Sequence, residues 1–144
     1  MNKRDTLEKA MTSEQKDGIQ ELQEAFMKYS KNSNDKTYGE VLLEFFLAAK
    51  NTKVAFCPVA SVNTKEKGFI PGKMETTNGK MYVLCTSQEE AALCPEEIIV
   101  LIGMDRVVEI AADDQDNNGI CLNPHGGHPC FFPREYILKI LGTQ

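Results

Sequence analysis

The 144-residue sequence predicts a single α+β domain, a mixed and mainly antiparallel sheet with flanking helices. Three observations carry that prediction. Apolar residues recur at three- and four-residue spacing in several separate stretches, as on one face of a helix. Apolar, β-branched runs lie between those stretches rather than gathering at one end of the chain. One pair of runs flanks Asn78-Gly79, the signature of a tight antiparallel hairpin. A chain of this length buries about two-thirds of the surface its unfolded form exposes, enough for one core.

Residues 1–12 are polar. Thr12 and Gln15 have capping-box spacing, and Ile19, Leu22, Phe26 and Tyr29 follow as one stripe, so a helix is predicted over 13–30. Small polar residues from Ser30 to Asp35 interrupt it. The chain thus divides into an N-terminal extension, residues 1–35, and a domain of residues 36–144. Thr37 and Glu40 are predicted to open the second helix by another capping box. Its apolar face is wide, with Val41, Leu42, Phe45, Phe46 and Ala49, and Asn51 ends it.

Lys53 to Val59 reads as a strand brought to a stop by Pro58, and Lys65 to Gly68 as a solvated loop. Met74–Thr77 and Lys80–Cys85 then form the hairpin arms, joined by a type I′ turn at Asn78-Gly79. Ser87 and Glu90 cap a short helix running to Leu93. Ile98 to Ile102 is apolar throughout, as a central strand is, and a helix over Met104–Ala112 turns Val107, Val108 and Ala111 inward. An acidic, amide-rich loop spans Asp113 to Asn118. Strands at Ile120–Leu122 and Cys130–Phe132 surround a turn at Asn123-Pro124. Pro133 suits the first helical position of a last helix, with Tyr136, Ile137, Ile140 and Leu141 inward and Gly142 closing it.

Composition excludes several functions. The formal net charge is −5, with only Arg4, Arg106 and Arg134 as arginines, so no basic face for nucleic acid is expected. No apolar run reaches membrane-spanning length, and the start lacks the apolar core of a secretory signal. Five cysteines, an odd number, fit reduced thiols and a cytoplasmic location better than a disulfide framework.

The segment from Asn118 to Arg134 holds both histidines and two cysteines. Cys121, His125, His128 and Cys130 are the ligand types zinc takes, although their spacing is not a standard one. The competing reading is one packed thiol on each strand and two exposed turn histidines. Asp114, Asp116, Asn118 and Gly119 match the first half of an EF-hand loop, but His125 stands where the bidentate glutamate belongs and Pro124 blocks the exiting helix. Alternate residues of a strand share a face, so a thiol enzyme would pair Cys130 with His128. Cys94 is the other candidate nucleophile; neither Cys94 nor Cys57 has the partner of a Cys-x-x-Cys motif. Finally, Asn123, His125, Phe132 and Arg134, together with the Gly126-Gly127 loop, are candidates for a recognition surface.

Several short motifs together resemble the SseB-like N-terminal domain family over about residues 40–141. They are Phe45-Phe46-Leu47, the strand ending Cys57-Pro58-Val59, Tyr82-Val83-Leu84-Cys85-Thr86-Ser87 with Glu90, Gly119-Ile120-Cys121-Leu122-Asn123-Pro124, and Phe132 with Arg134-Glu135. The resemblance implies a small cytoplasmic α/β protein without a settled enzymatic activity, an accessory or protein-binding module with no cofactor. Two features depart from the pattern: Cys85 replaces an aromatic, and His125 and His128 lie outside the signature. The leading expectation is therefore a non-catalytic interaction domain, binding an unknown protein through the Asn123–Arg134 turn or forming a homodimer through the first helix. The alternatives are a zinc module on Cys121–Cys130 and a thiol-dependent enzyme.

Overall fold

The structure, a computed structural model, describes residues 19–63, 68–96 and 98–142. The Thr12–Gln15 box and the start of the first predicted helix lie outside them. What is described of that helix, α1 (Gln20–Lys31), turns Ile19, Leu22 and Phe26 into the same hydrophobic core as the rest of the chain. The stripe offered for a homodimer is thus spent on packing against α2 (Asp35–Lys50).

The cap of α2 corrects the sequence expectation. Asn34 is the capping residue and Thr37 its third-position partner, one box earlier than Thr37 and Glu40. The Asn34 carboxamide oxygen accepts from the Thr37 N–H at 2.9 Å, and the Asn34 N–H donates back to the Thr37 hydroxyl at 3.0 Å. Two N–H groups that the first turn would leave unpaired are thereby satisfied.

Seven strands form two sheets among the described residues. The first has the order β2 (Gly68–Pro71), β1 (Val54–Asn63), β5 (Ile99–Gly103), and every pairing in it is antiparallel. The second has the order β3 (Lys73–Thr76), β4 (Gly79–Leu84), β6 (Gly119–Leu122), β7 (Cys130–Pro133). It is mixed, because β4 and β6 run parallel while the outer pairs are antiparallel. The sheets meet at a bridge between Phe56 and Cys85, whose backbones exchange hydrogen bonds of 3.1 and 2.9 Å.

Three strand expectations change. Pro58 does not stop β1, which continues to Asn63. Val59 donates towards Ile98 of the β5 side, so the nitrogen of Pro58 points the other way, where its carbonyl accepts from Gly72. No ladder bond to β5 is lost, and the proline is tolerated. β5 is apolar like a central strand, yet it lies at the end of its sheet. The Asn78-Gly79 hairpin forms, but only Gly79 takes a positive φ, of 98°, so its turn is not type I′. The Thr76 hydroxyl instead accepts from Asn78 N–H at 3.0 Å and donates to the Gly79 carbonyl at 2.7 Å, securing the loop.

The helix α3 (Gln88–Ala92) is capped by Ser87, as its sequence predicts. α4 (Met104–Asp113) buries Val107, Val108 and Ala111, again as predicted. α5 (Arg134–Gly142) begins one residue later than expected, because Pro133 is still paired with Gly119 at the end of β7. α4 packs on α2 and α5, and α5 lies against β6 and β7. Phe45, Phe56, Phe132, Leu84, Ile120 and Ile137 fill the space between helices and sheets, each almost wholly out of solvent. The two rings Phe45 and Phe132 sit 4.4 Å apart between centroids and join α2 to β7.

Candidate functional site

The segment that dominates the sequence folds as a hairpin with Asn123 buried at the start of its turn and both histidines exposed. Asn123 is fully buried and held at φ 53°, a left-handed conformation that asparagine tolerates better than most residues. Its carboxamide does not serve its own turn. The side-chain oxygen accepts from Thr86 N–H at 2.9 Å, and Nδ2 donates to the Thr86 hydroxyl at 3.0 Å. Since Thr86 follows β4 and Asn123 follows β6, this pair clasps the ends of the two parallel strands. Asn123 is therefore corrected from a surface candidate to a structural staple. Phe132 is corrected likewise, since it is fully buried against Phe45.

The zinc candidates do not converge. Opposed residues of an antiparallel pair share a face and neighbours alternate. Cys121 pairs with Phe131 and Leu122 with Cys130, so the two thiols project from opposite faces of the hairpin. Both are fully buried, whereas His125 and His128 are exposed. Among the described residues no three cysteine, histidine or acidic side chains are grouped so as to hold a metal ion.

The same burial bears on thiol chemistry. Cys130 lies inside and His128 outside, so the expected pair does not form. Burial, with a smaller contribution from Cys121, pushes the Cys130 thiol up to about 12. Burial raises Cys57 and Cys121 to about 12 as well. The sulfurs of Cys85 and Cys94 approach to 3.7 Å, and their hydrogen bond together with burial raises Cys85 further. A nucleophile works as the thiolate, and this environment disfavours the thiolate.

The half EF-hand is committed to other contacts. Asp114 accepts from the Lys73 ammonium at 2.8 Å, the Tyr82 hydroxyl at 2.7 Å and Asp116 N–H at 2.9 Å. These partners, Lys73 first, hold its carboxyl down at about 2. Asn118 donates to the Asn78 carbonyl at 2.7 Å, tying the loop to the β3–β4 turn. The Asn117 amide lies against the Ala111 and Asp114 carbonyls.

Arg134 is half-buried. One of its terminal nitrogens donates to the Ala112 carbonyl near the end of α4, while its Nε is out of solvent and has no acceptor among the described residues. A cleft of about 470 Å³ beside it is lined by Asn78, Gln115, Asn118 and Glu135 among others. On the far side of the turn, Glu90 packs against Gly126, where an added Cβ would come within 2.5 Å of its carboxylate. Burial raises the Glu90 carboxyl, and neighbouring His125 partly offsets that rise.

A further surface feature, without a sequence motif, lies on the helices. Between α2 and α5 runs an open groove of about 480 Å³, lined by Leu42, Leu43, Phe46, Tyr136, Lys139 and Ile140. Leu43, Leu47 and Leu138 are 55%, 38% and 44% exposed, large apolar side chains on the outer surface of these two helices. A signal for it was present in the sequence. α2 buries Val41, Phe45, Ala48 and Ala49, and that stripe already supplies a core face. Leu42, Leu43, Phe46 and Leu47 widen the apolar arc well beyond it. Comparison with protein-family models, with curated proteins and with solved structures returned no match.

Proposed function

We propose that this chain is a non-catalytic protein-interaction domain, SseB-like and cytoplasmic, which engages its partner through the α2–α5 groove. The observation that carries this reading is the apolar groove itself, with Leu43 on its lip left largely in solvent. Apolar surface rimmed by polar residues is a form that protein-binding grooves take. Among the described residues no helix is long and apolar enough to cross a membrane, so that apolar surface does not belong to a spanning segment. The turn candidates support recognition less well, because Asn123 and Phe132 are internal and Arg134 is tied to α4. Thiol and zinc readings have weaker support, given thiols that are buried, raised and turned apart.

The test is photo-crosslinking in the native cytosol with a benzophenone amino acid placed at Leu43 or, separately, at His128. A discrete protein adduct is expected from position 43 and none from position 128. Adducts from position 128 alone would move the surface back to the turn. Failure at both positions would reject the interaction reading.

A further inference from the structure

We infer that Cys85 and Cys94 form a redox-responsive pair, which closes to a disulfide under hydrogen peroxide and reopens under a thiol reductant. Their sulfurs stand 3.7 Å apart, each within hydrogen-bonding reach of the other. A disulfide brings sulfurs to about 2.05 Å, so closure asks for a shift of about 1.7 Å shared between two side chains. The remaining thiols are disposed differently. Cys57 lies against the Pro58 carbonyl at 3.5 Å, and Cys121 and Cys130 project from opposite faces of the β6–β7 hairpin.

The two partners differ in how firmly the fold holds them. Cys85 exchanges backbone hydrogen bonds with Phe56 where the two sheets meet, and none of it reaches solvent. Cys94 lies in the bend that follows α3, between Leu93 and Pro95, which are both exposed. α3 has five residues, too few to be stable without its tertiary contacts. Opening α3 and its bend therefore costs less than unfolding the domain, and it uncovers Cys94. At 5% exposure against 0%, Cys94 is the sulfur an oxidant meets first, with Cys85 behind it.

The Cys94 sulfur attacks one peroxide oxygen; the O–O bond breaks, leaving Cys94 sulfenic acid and one water. The Cys85 sulfur then displaces the sulfenic oxygen, which departs as a second water and takes the Cys85 proton. Two thiols and one peroxide thus become one disulfide and two waters, with two electrons passing from sulfur to oxygen. The hydrogen bond with Cys94, and then burial, raise the Cys85 thiol, which suits it to the second step rather than the first. The bridge ties the end of α3 to the junction of the sheets, one residue from the Thr86–Asn123 clasp. It also closes residues 85–94 into a loop and so restricts the unfolded chain, raising Tm by about 5 °C or more.

The experiment exposes the reduced full chain to excess hydrogen peroxide, quenches it, and alkylates the remaining thiols with iodoacetamide in urea. Cleavage at glutamate cuts between the two cysteines, at Glu89 and Glu90, and mass spectrometry is expected to find Cys85 and Cys94 joined. Two of the five cysteines should escape alkylation, and dithiothreitol should restore all five. Oxidation should raise the Tm of the native chain by about 5 °C and leave that of Cys94→Ala unchanged. Cys85→Ala should stop at Cys94 sulfenic acid, captured by dimedone. The mapping on the native chain needs neither variant to fold. Five alkylated cysteines after peroxide, a bridge through Cys57, Cys121 or Cys130, or Cys94 sulfinic acid without a bridge would each overturn the inference. None of these outcomes involves the α2–α5 groove, so the interaction reading is tested separately.

Discussion

The hairpin from β6 to β7 and the groove between α2 and α5 use their side chains in opposite ways. Cys121, Asn123, Cys130 and Phe132 of the hairpin have none of their surface in solvent, and only the turn between them carries its two histidines outward. Leu43, on the lip of the groove, is chemically plain, and about half of it is exposed. The hairpin closes over polar and aromatic groups that hold two parallel strands and a helix together. The groove leaves apolar groups uncovered although a core lies a few ångströms beneath. Chemical variety in this chain marks structure, and an uncovered hydrophobe marks the candidate contact.

The difference can be broken or sharpened by substitution. The largest effect belongs to Phe132→Ala, which removes a ring packed on Phe45 and Tyr38 and leaves a cavity between α2 and β7. A loss of about 4 kcal/mol is expected by urea denaturation. A loss below about 1 kcal/mol would show that the hairpin is not a core element.

Asn123→Ala comes next, at about 3 kcal/mol, because it leaves the buried Thr86 N–H without an acceptor and puts alanine at φ 53°. Asn123→Gly relieves the backbone but not the lost bonds, and should recover about 1 kcal/mol of that. If both variants unfold at the same urea concentration as the native chain, the clasp between β4 and β6 carries no stability.

Asp114→Asn is expected to cost about 1 kcal/mol, the size of a partly exposed ion pair with supporting hydrogen bonds. Its pH dependence follows from the direction of the shift. The carboxyl titrates at about 2 when folded and at about 3.9 when unfolded, so its contribution is whole above about pH 5 and fades as pH falls towards 2. Thermal melts of the native chain and the Asp114→Asn variant should therefore converge in acid. A gap that persists there would reject the ion pair as its source.

The smallest effect on stability belongs to the groove. Leu43→Ser, on its lip, should change it by no more than about 0.5 kcal/mol, since this side chain is largely exposed. Leu43→Ser should also abolish the adduct formed by a benzophenone placed at Tyr136, across the groove. A large loss of stability from Leu43→Ser would place this leucine with the hairpin rather than opposite it.

Much of the fold could be read from local pattern. The stripes of α1, α2, α4 and α5 and the hairpin of β3 and β4 appear where periodicity and turn residues put them. β2 escapes such a reading because Gly68-Phe69-Ile70-Pro71 is too short to show a period and is bracketed by strand-ending residues. β5 is misplaced by it because an apolar run reports burial, while its place at the sheet end depends on which strands pair with it. The candidate sites fared worse. Cys121, His125, His128 and Cys130 are neighbours in the chain, but strand alternation sends the thiols to opposite faces and the turn carries both imidazoles outward.

The amino-acid order alone determined which segments are helices, where the hairpin turns and that the charge balance is acidic, because each depends on residues a few positions apart. Register, and with it the direction of every side chain between β6 and β7, was decided only in three dimensions. So was the pairing of Asn123 with Thr86 across 37 residues, and so was the groove between α2 and α5. The physical reason is that strand register and helix packing are settled by contacts between distant segments, where a shift of one residue exchanges inside for outside.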